Sequence, residues 1–272
     1  MTYRKENLAN SMKKTVKSHD RYIVPAVKQA ARLLFCLADA ESSHLSLNEI
    51  CDRTDMHKSH TYAILHTLQT FGLAQRNVGG NGYSLGPGLI ALSRKVLDDF
   101  NLPRIAEPIL ESLAKEARST ATLGLIVEKQ LVIAAKYEDR RDIGVATVRI
   151  GRRWPISHGA EGKAIAAFLP EEQLEELLKE DELYFHGKPE KFDRKRLMKE
   201  LAECRRTGYA LDLAEINQKF NAVAAPVLGP DGTPIGHINL IGVLFAEDAR
   251  RLGPMLSDAG KTLSRQLGAR IE

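Results

Sequence analysis

Five residues in the run HKSHTYAILHTL carry groups that can read a polymer of phosphates and bases: His57, Lys58, Ser59, Tyr62 and His66. A lysine ammonium suits a phosphate or the acceptor edge of guanine, and hydroxyls or imidazoles reach phosphates and base edges. Helical spacing turns Lys58, Ser59, Tyr62, His66 and Gln69 to one side. Thr61, Ile64, Leu65, Leu68 and Phe71 repeat at three and four and form the opposite, buried stripe. His60 lies beside that stripe and reads as a packed or solvated histidine. Any soluble helix has a polar face, so the chemistry depends on the elements that hold this one.

Those elements have local signals. Ser46 followed by Glu49 is a capping box, and Leu47, Ile50 and Cys51 share one face of a short helix ending near Arg53. Asp55 tolerates the left-handed backbone of a tight inter-helix turn, a second helix opens near His57, and Gly72 stops it. LAQR and YSL are strand-like runs separated by NVGGNG, which suits a hairpin. Upstream, Val27, Ala30, Ala31, Leu34 and Leu37 give a covering helix. The order predicts a winged helix-turn-helix over residues 23–86, with the polar face of its second helix toward a DNA major groove.

The chain has 272 residues, enough for two domains, with 43% hydrophobic and 27% charged residues. No apolar run reaches membrane-spanning length and residues 1–22 have no signal-peptide core, so a cytoplasmic protein is expected. Cys36, Cys51 and Cys204 are far apart and predict neither disulfide nor metal cluster. Through Arg21 six basic residues face two acidic ones, a surplus equal to the whole chain's net +4. The arm over 1–22 therefore either trails along a DNA backbone or is a solubilising tail.

After the hairpin, GLIALSRKVLDDF and LPRIAEPILESLAKEA read as two linker helices over 87–117, separated at Pro103, with Leu102, Ile105, Ile109 and Leu113 on the second stripe. Residues 118–272 then change period. Strand-like runs stand at TLGLIVE, QLVIAAKYE, GVATVRIG, YALDLAE, NAVAAPVLG and PIGHINLIGV, among helices near 160–168, 171–180, 193–206 and 246–268. GPDG is a hairpin turn, and the mixture predicts an α+β fold. Two runs imitate cofactor motifs. GPGLIA lacks a donor at Pro87 and is followed by helices where a parallel strand belongs, and SHGAEGKA lacks the first glycine and the final hydroxyl of a phosphate loop. No cofactor is expected.

The blocks AVKQAARLL, LSLNEICDRTDMHKSHTYAILHTLQTFGLAQR, YSLGPGLIAL, IGRRWPISHGAEGKAIAA and GYALDLAEINQKFNAVAAPVLGPDGTPIGHINLIG resemble, in this order, the IclR family of bacterial transcriptional regulators. The resemblance covers nearly the whole chain after Val24. It implies a winged helix-turn-helix, a helical linker and a GAF-like effector-binding domain, in proteins that form dimers or dimers of dimers and answer to small metabolites, often carboxylates or aromatic compounds. Two positions depart from the pattern: Ala63 stands where an arginine is usual on the recognition helix, and Lys219 where a glycine is usual.

The implied effector site falls on the turn before Ala160 and on two strands. The N–H groups of Gly159 and Ala160, beside His158, can receive an anionic oxygen at a helix start. Asn239 can orient it, while Trp154, Phe220, Ala222 and Ile241 can form an apolar wall. Ala222 and Ala224 share one strand face, as do Asn239 and Ile241. In relatives that bind very small keto acids these strands carry more polar groups, so the expected effector is a mid-sized, aromatic organic acid controlling a catabolic operon. Ordinary core packing is the alternative for each position. For the whole chain the alternatives to an operator-binding regulator are a metabolite-binding enzyme using the α+β domain and a module that senses a protein partner.

Overall fold

The computed structural model describes residues 22–40, 42–77, 82–99, 102–139 and 148–271. The basic arm and the tip of the predicted hairpin lie outside them. The chain divides into two compact units, residues 1–99 and 100–272.

The first unit contains α1 (Pro25–Ala38), α2 (Leu47–Thr54), α3 (Lys58–Thr70), strands β1 (Ala74–Arg76) and β2 (Tyr83–Leu85), and α4 (Gly88–Asp99). Leu33, Leu45, Ile50 and Leu65 are fully buried at its centre, each worth about 1.5–3 kcal/mol of transfer free energy. The capping box at α2 is complete: Ser46 N–H donates to Glu49 Oε2 at 2.7 Å and Glu49 N–H to Ser46 Oγ at 3.3 Å. Asp55 closes that helix with φ 50°, in the left-handed region. Arg32 Nη2 donates to Thr54 O at 2.6 Å and ties α1 to the end of α2.

Two expectations for this core change. Val27 is exposed, because the packed partners reach along α1 only to Ala30, and Leu33 takes the central place. Phe71 is also exposed. It caps α3 at φ −93°, ψ 5°, and Gly72 at φ +69° then redirects the chain, so helical periodicity no longer carries Phe71 inward. β1 and β2 pair antiparallel from Ala74↔Leu85 to Arg76↔Tyr83, and Leu45 bridges to Tyr83. The glycines of the false dinucleotide motif pack closely here: a Cβ on Gly86 would stand 2.1 Å from Gly72 O, and one on Gly88 2.8 Å from it.

The second unit opens with α5 (Leu102–Ala117), followed by β3 (Thr120–Val127), β4 (Gln130–Glu138), β5 (Arg153–Pro155), α6 (Gly159–Ala166), α7 (Glu171–Leu177), α8 (Arg194–Thr207), β6 (Ala210–Leu213), β7 (Asn221–Leu228), β8 (Pro234–Gly242) and α9 (Ala246–Gln266). Pro103 does not separate the linker helices. It sits in the first turn of α5, where its missing N–H costs nothing. The buried stripe of α5 is Leu102, Ala106, Leu110, Leu113, Ala114 and Ala117, with Ile105 and Ile109 at its margin. Of the strand expected over 144–151 only 148–151 is described, and it turns at Ile150–Gly151 before β5.

The sheet runs β5-β4-β3-β8-β7-β6 with every neighbouring pair antiparallel. α5 and α9 cover one face, packing on Ala121, Leu123, Val223, Ala225, Ile238 and Leu240. α6 packs on the other with Ala222 and Ala224. Every residue of α6 is buried, which explains its Gly/Ala composition: a Cβ on Gly162 would stand 2.5 Å from Ser157 C. Cys36 and Cys51 are partly buried, Cys204 is buried, and all three are free. Among the described residues no helix is long and apolar enough to cross a membrane.

Candidate functional site

The first site is the outer side of α3. His57 is its N-cap and makes no side-chain cap bond, and Lys58, Ser59, Tyr62 and His66 are all exposed. Leu47, His57, Lys58, Ser59 and Tyr62 line an open depression, and the Tyr62 and His66 rings lie 6.4 Å apart. Thr61, Leu65 and Leu68 anchor the opposite side. His60 is held by Gln29, with Nε2 2.6 Å from Gln29 Oε1. This assembly presents a row of donors on a rigid helix, with Arg76 of β1 stacked on Tyr83 at 5.8 Å nearby in the same unit. Such a row can meet phosphates and base edges.

The second site lies between α6 and the sheet. Strand register puts Thr122 opposite Asn239, Gly124 opposite His237, Ala224 opposite Asn239 and Ala222 opposite Ile241, so these side chains share a face. Asn239 Nδ2 donates to Glu161 Oε1 at 2.9 Å, which directs that face toward α6. His158 Nδ1 stands 3.6 Å from Glu161 Oε2, and its ring stacks on Trp154 with centroids 5.1 Å apart. Leu131↔Trp154 pairing on the edge strand brings Trp154 to the same face as Leu131. Sequence reasoning therefore named residues that the fold gathers: Trp154, His158, Gly159, Ala160, Ala222, Asn239 and Ile241. Phe220 is different. It sits in the turn before β7 and belongs neither to the buried cluster nor to the hydrophobic residues packed against it.

Of the two N–H groups expected to cradle an anion, at Gly159 and Ala160, the first already has a partner within the protein. Gly159 N–H donates to Tyr184 O at 3.2 Å. A Cβ there would stand 2.8 Å from Asp212 Oδ2 and 3.5 Å from Glu161 Oε2, so two carboxylates flank the glycine. Burial pushes the Glu161 carboxyl up, but neighbouring His158, the charge of His237 and its own backbone N–H together bring it below the ordinary range. Burial pushes Asp212 up to about 6, against the Glu215 N–H that it accepts at 2.7 Å and with the Glu161 charge adding to the rise. His237 is pushed down to about 4 by burial, with Glu161 opposing.

Sequence reasoning missed Thr122, Asp212 and His237. Thr122 reaches Asn239 through pairing between strands more than a hundred positions apart, which no local period reports. The signal in hindsight is a histidine and an asparagine alternating inside the apolar run PIGHINLIG.

Residues 26–78 match the IclR helix-turn-helix domain, and residues 94–265 match the bacterial transcriptional regulator IclR C-terminal domain. The HTH-type transcriptional regulator XynR of Escherichia coli strain K12 is 30% identical over 249 residues, 90% of this chain and 98% of that protein. Among solved structures, an IclR transcriptional regulator from Alicyclobacillus acidocaldarius superposes with a TM-score of 0.79 at 25% identity, covering 91% of this chain and all of that one. An IclR homolog from Microbacterium hydrocarbonoxydans, complexed with 4-hydroxybenzoate, superposes with a TM-score of 0.72 over 89% of this chain and 99% of its own. Its 18% identity speaks for the fold alone. Both matched domains are those of a regulator, which sets aside the enzyme reading of the α+β domain.

Proposed function

The chain belongs to the IclR family of bacterial transcriptional regulators, and from that premise we propose that it acts as a homodimer or dimer of dimers on an inverted-repeat operator of a catabolic operon. It is a ligand-responsive regulator. One recognition helix spans only a few base pairs, so two-fold symmetry in the protein calls for its mirror in the operator. Lys58 takes a phosphate or guanine, and His57, Ser59, Tyr62 and His66 take phosphates or base edges. The observation that carries this reading is the exposed donor row of α3 on a fully buried Leu65 anchor.

The effector in this reading is a mid-sized organic acid, with an aromatic ring favoured by Trp154 and Ile241, which pack at the margin of the α6 cluster. It seats between α6 and the sheet. The same fold in the Microbacterium protein holds a ring of that size. Footprinting of the chain's own upstream DNA, with and without aromatic acids, tests both halves. A discrete protected repeat whose occupancy changes with an acid is expected. Protection without a boundary, or none, overturns the operator reading. Calorimetry then assigns the pocket: Asn239→Ala weakens the acid and Ile241→Ser shifts preference toward smaller polar acids, whereas unchanged binding in both puts the effector elsewhere.

A further inference from the structure

β6 ends the sheet, and among the described residues it pairs with β7 alone, so its other edge has no strand beside it. Along that edge runs a groove of about 510 Å³, lined by β6, by α8 with Lys199 and by α9 with Arg250. Close packing fixes the turn into β6 against α9. A Cβ on Gly208 would stand 2.0 Å from Ser257 Oγ, and one on Gly253 would stand 2.3 Å from the Tyr209 ring. The groove is therefore built into the packed fold.

An open strand edge ordinarily invites another strand, which must donate and accept in alternation. Here Lys163 Nζ already sits on Leu211 O at 3.2 Å, so an incoming strand meets an acceptor that is engaged. The charges of the groove point the same way. Lys163 and Arg196 are each bonded to both Glu200 and Glu215, two cations against two carboxylates. Glu203, the remaining carboxylate of the lining, is paired with Arg206. Lys199 and Arg250 are left over. Both are exposed; Arg250 Nη1 reaches only Ala246 O of its own helix, at 3.3 Å, and neither side chain meets a carboxylate among the described residues. Each wall thus contributes one uncancelled positive charge, and both of these groups only donate. An occupant must accept and must carry negative charge, and two cations on separate walls favour several charges over one.

We propose that the groove at the free edge of β6 is a second small-molecule site, which takes a multivalent oxyanion, phosphorylated or polycarboxylate, between Lys199 and Arg250. It is separate from the face between α6 and the sheet, and neither site requires the other. Lys163 belongs both to the groove lining and to α6, so the site borders the helix whose Glu161 meets Asn239.

Calorimetry on the full chain at constant ionic strength, with pyrophosphate, citrate and acetate as probes, tests it. At least one multivalent probe is expected to bind at one site per chain, about tenfold or more tighter than acetate, the scale of one charge-assisted hydrogen bond. Pyrophosphate alone assigns the site to phosphates and citrate alone to polycarboxylates; either result supports it, as does binding of both. Lys199→Gln with Arg250→Gln alters only exposed positions, so Tm should hold while affinity falls about tenfold or more. Lys179→Gln with Lys261→Gln removes the same charge from exposed positions elsewhere in this unit and should change affinity by about twofold or less. Equal weakening by the two pairs of substitutions, or affinity that survives Lys199→Gln with Arg250→Gln, overturns the site. Binding of neither multivalent probe also overturns it, and a hexaglutamate peptide that binds where both fail gives the groove to an extended partner instead. The effector reading stands or falls on its own test.

Discussion

Lys58 and Lys163 are the same side chain put to opposite use. Lys58 stands exposed at the first turn of α3. Lys163 is 2% exposed inside α6, with Nζ 2.9 Å from Glu215, 3.1 Å from Glu200 and 3.2 Å from Leu211 O. Around it Arg196 joins both glutamates and His186 Nε2 meets Glu200 at 3.0 Å. A charge in water acts at a distance, screened by salt, and so suits a polyanion. A charge out of water holds one arrangement of its neighbours and cannot leave it cheaply. The first unit displays Lys58, and the sheet unit locks Lys163 in.

The strongest way to break this contrast is Lys163→Met. Removing one partner of a buried ion pair leaves uncompensated charge and typically costs about 3–5 kcal/mol. Denaturant unfolding of the sheet unit should register that loss, and Glu200→Gln with Glu215→Gln in the same chain should recover most of it. A single variant losing less than about 1 kcal/mol would mean that Lys163 behaves like a surface lysine.

A smaller effect separates Asp212 from its paired neighbours. Its folded pKa of about 6 lies above the ordinary 3.8, so the folded chain binds this proton more tightly than the unfolded one. Stability from this group is therefore full at low pH and falls as pH rises from about 4 through 6, by up to roughly 3 kcal/mol. Asp212→Asn keeps an oxygen for Glu215 N–H and has no charge to bury. The variant should be more stable than the parent at pH 7, with the difference closing below about pH 4 in thermal melts. A constant difference across that range would show that Asp212 does not titrate in the folded chain over that window.

The head and the sheet unit also differ in how far the sequence discloses them. The capping box at Ser46, the left-handed Asp55 and the stop at Gly72 act over a few residues, so composition and period reveal them. Phe71 was misplaced by the same logic, since a periodic stripe does not say at which residue the helix stops. In the sheet unit, Asn239 and Ile241 were legible as one face of a strand, and His237 shares that alternation, but Thr122 joins them only through β3–β8 register. Glu161 joins that group through the hydrogen bond from Asn239, a contact between a helix and a strand that no local pattern reports. Phe220 shows the converse error: closeness in sequence to Ala222 did not bring it into the cluster.

Two modest effects sharpen the contrast on the head's side. Ser46→Ala removes one half of the capping box and should cost about 1 kcal/mol, read as earlier melting of the head with effector affinity unchanged. A loss shared equally by effector binding would show that the two units do not act separately.

The smallest expected effect is the most diagnostic. Lys58 is exposed and unburdened by burial, so Lys58→Ala should leave the melting of both units unchanged within about 0.5 kcal/mol. Its cost appears only against DNA. If Lys58 holds a phosphate, each neutralised phosphate releases condensed counterions, and the slope of log K against log salt should fall by about one unit. If it reads guanine instead, the loss concentrates on one base pair of the repeat, about 1–3 kcal/mol there. Lys163→Met, even where it folds, should leave the slope untouched, because a charge already neutralised by Glu200 and Glu215 has no counterion to release. Fluorescence anisotropy across a salt series, with the parent and both variants on one operator, measures all three slopes. A Lys58→Ala slope equal to the parent's, with no change at any base pair, would remove Lys58 from the interface and with it the claim that exposure on α3 is what separates the two lysines.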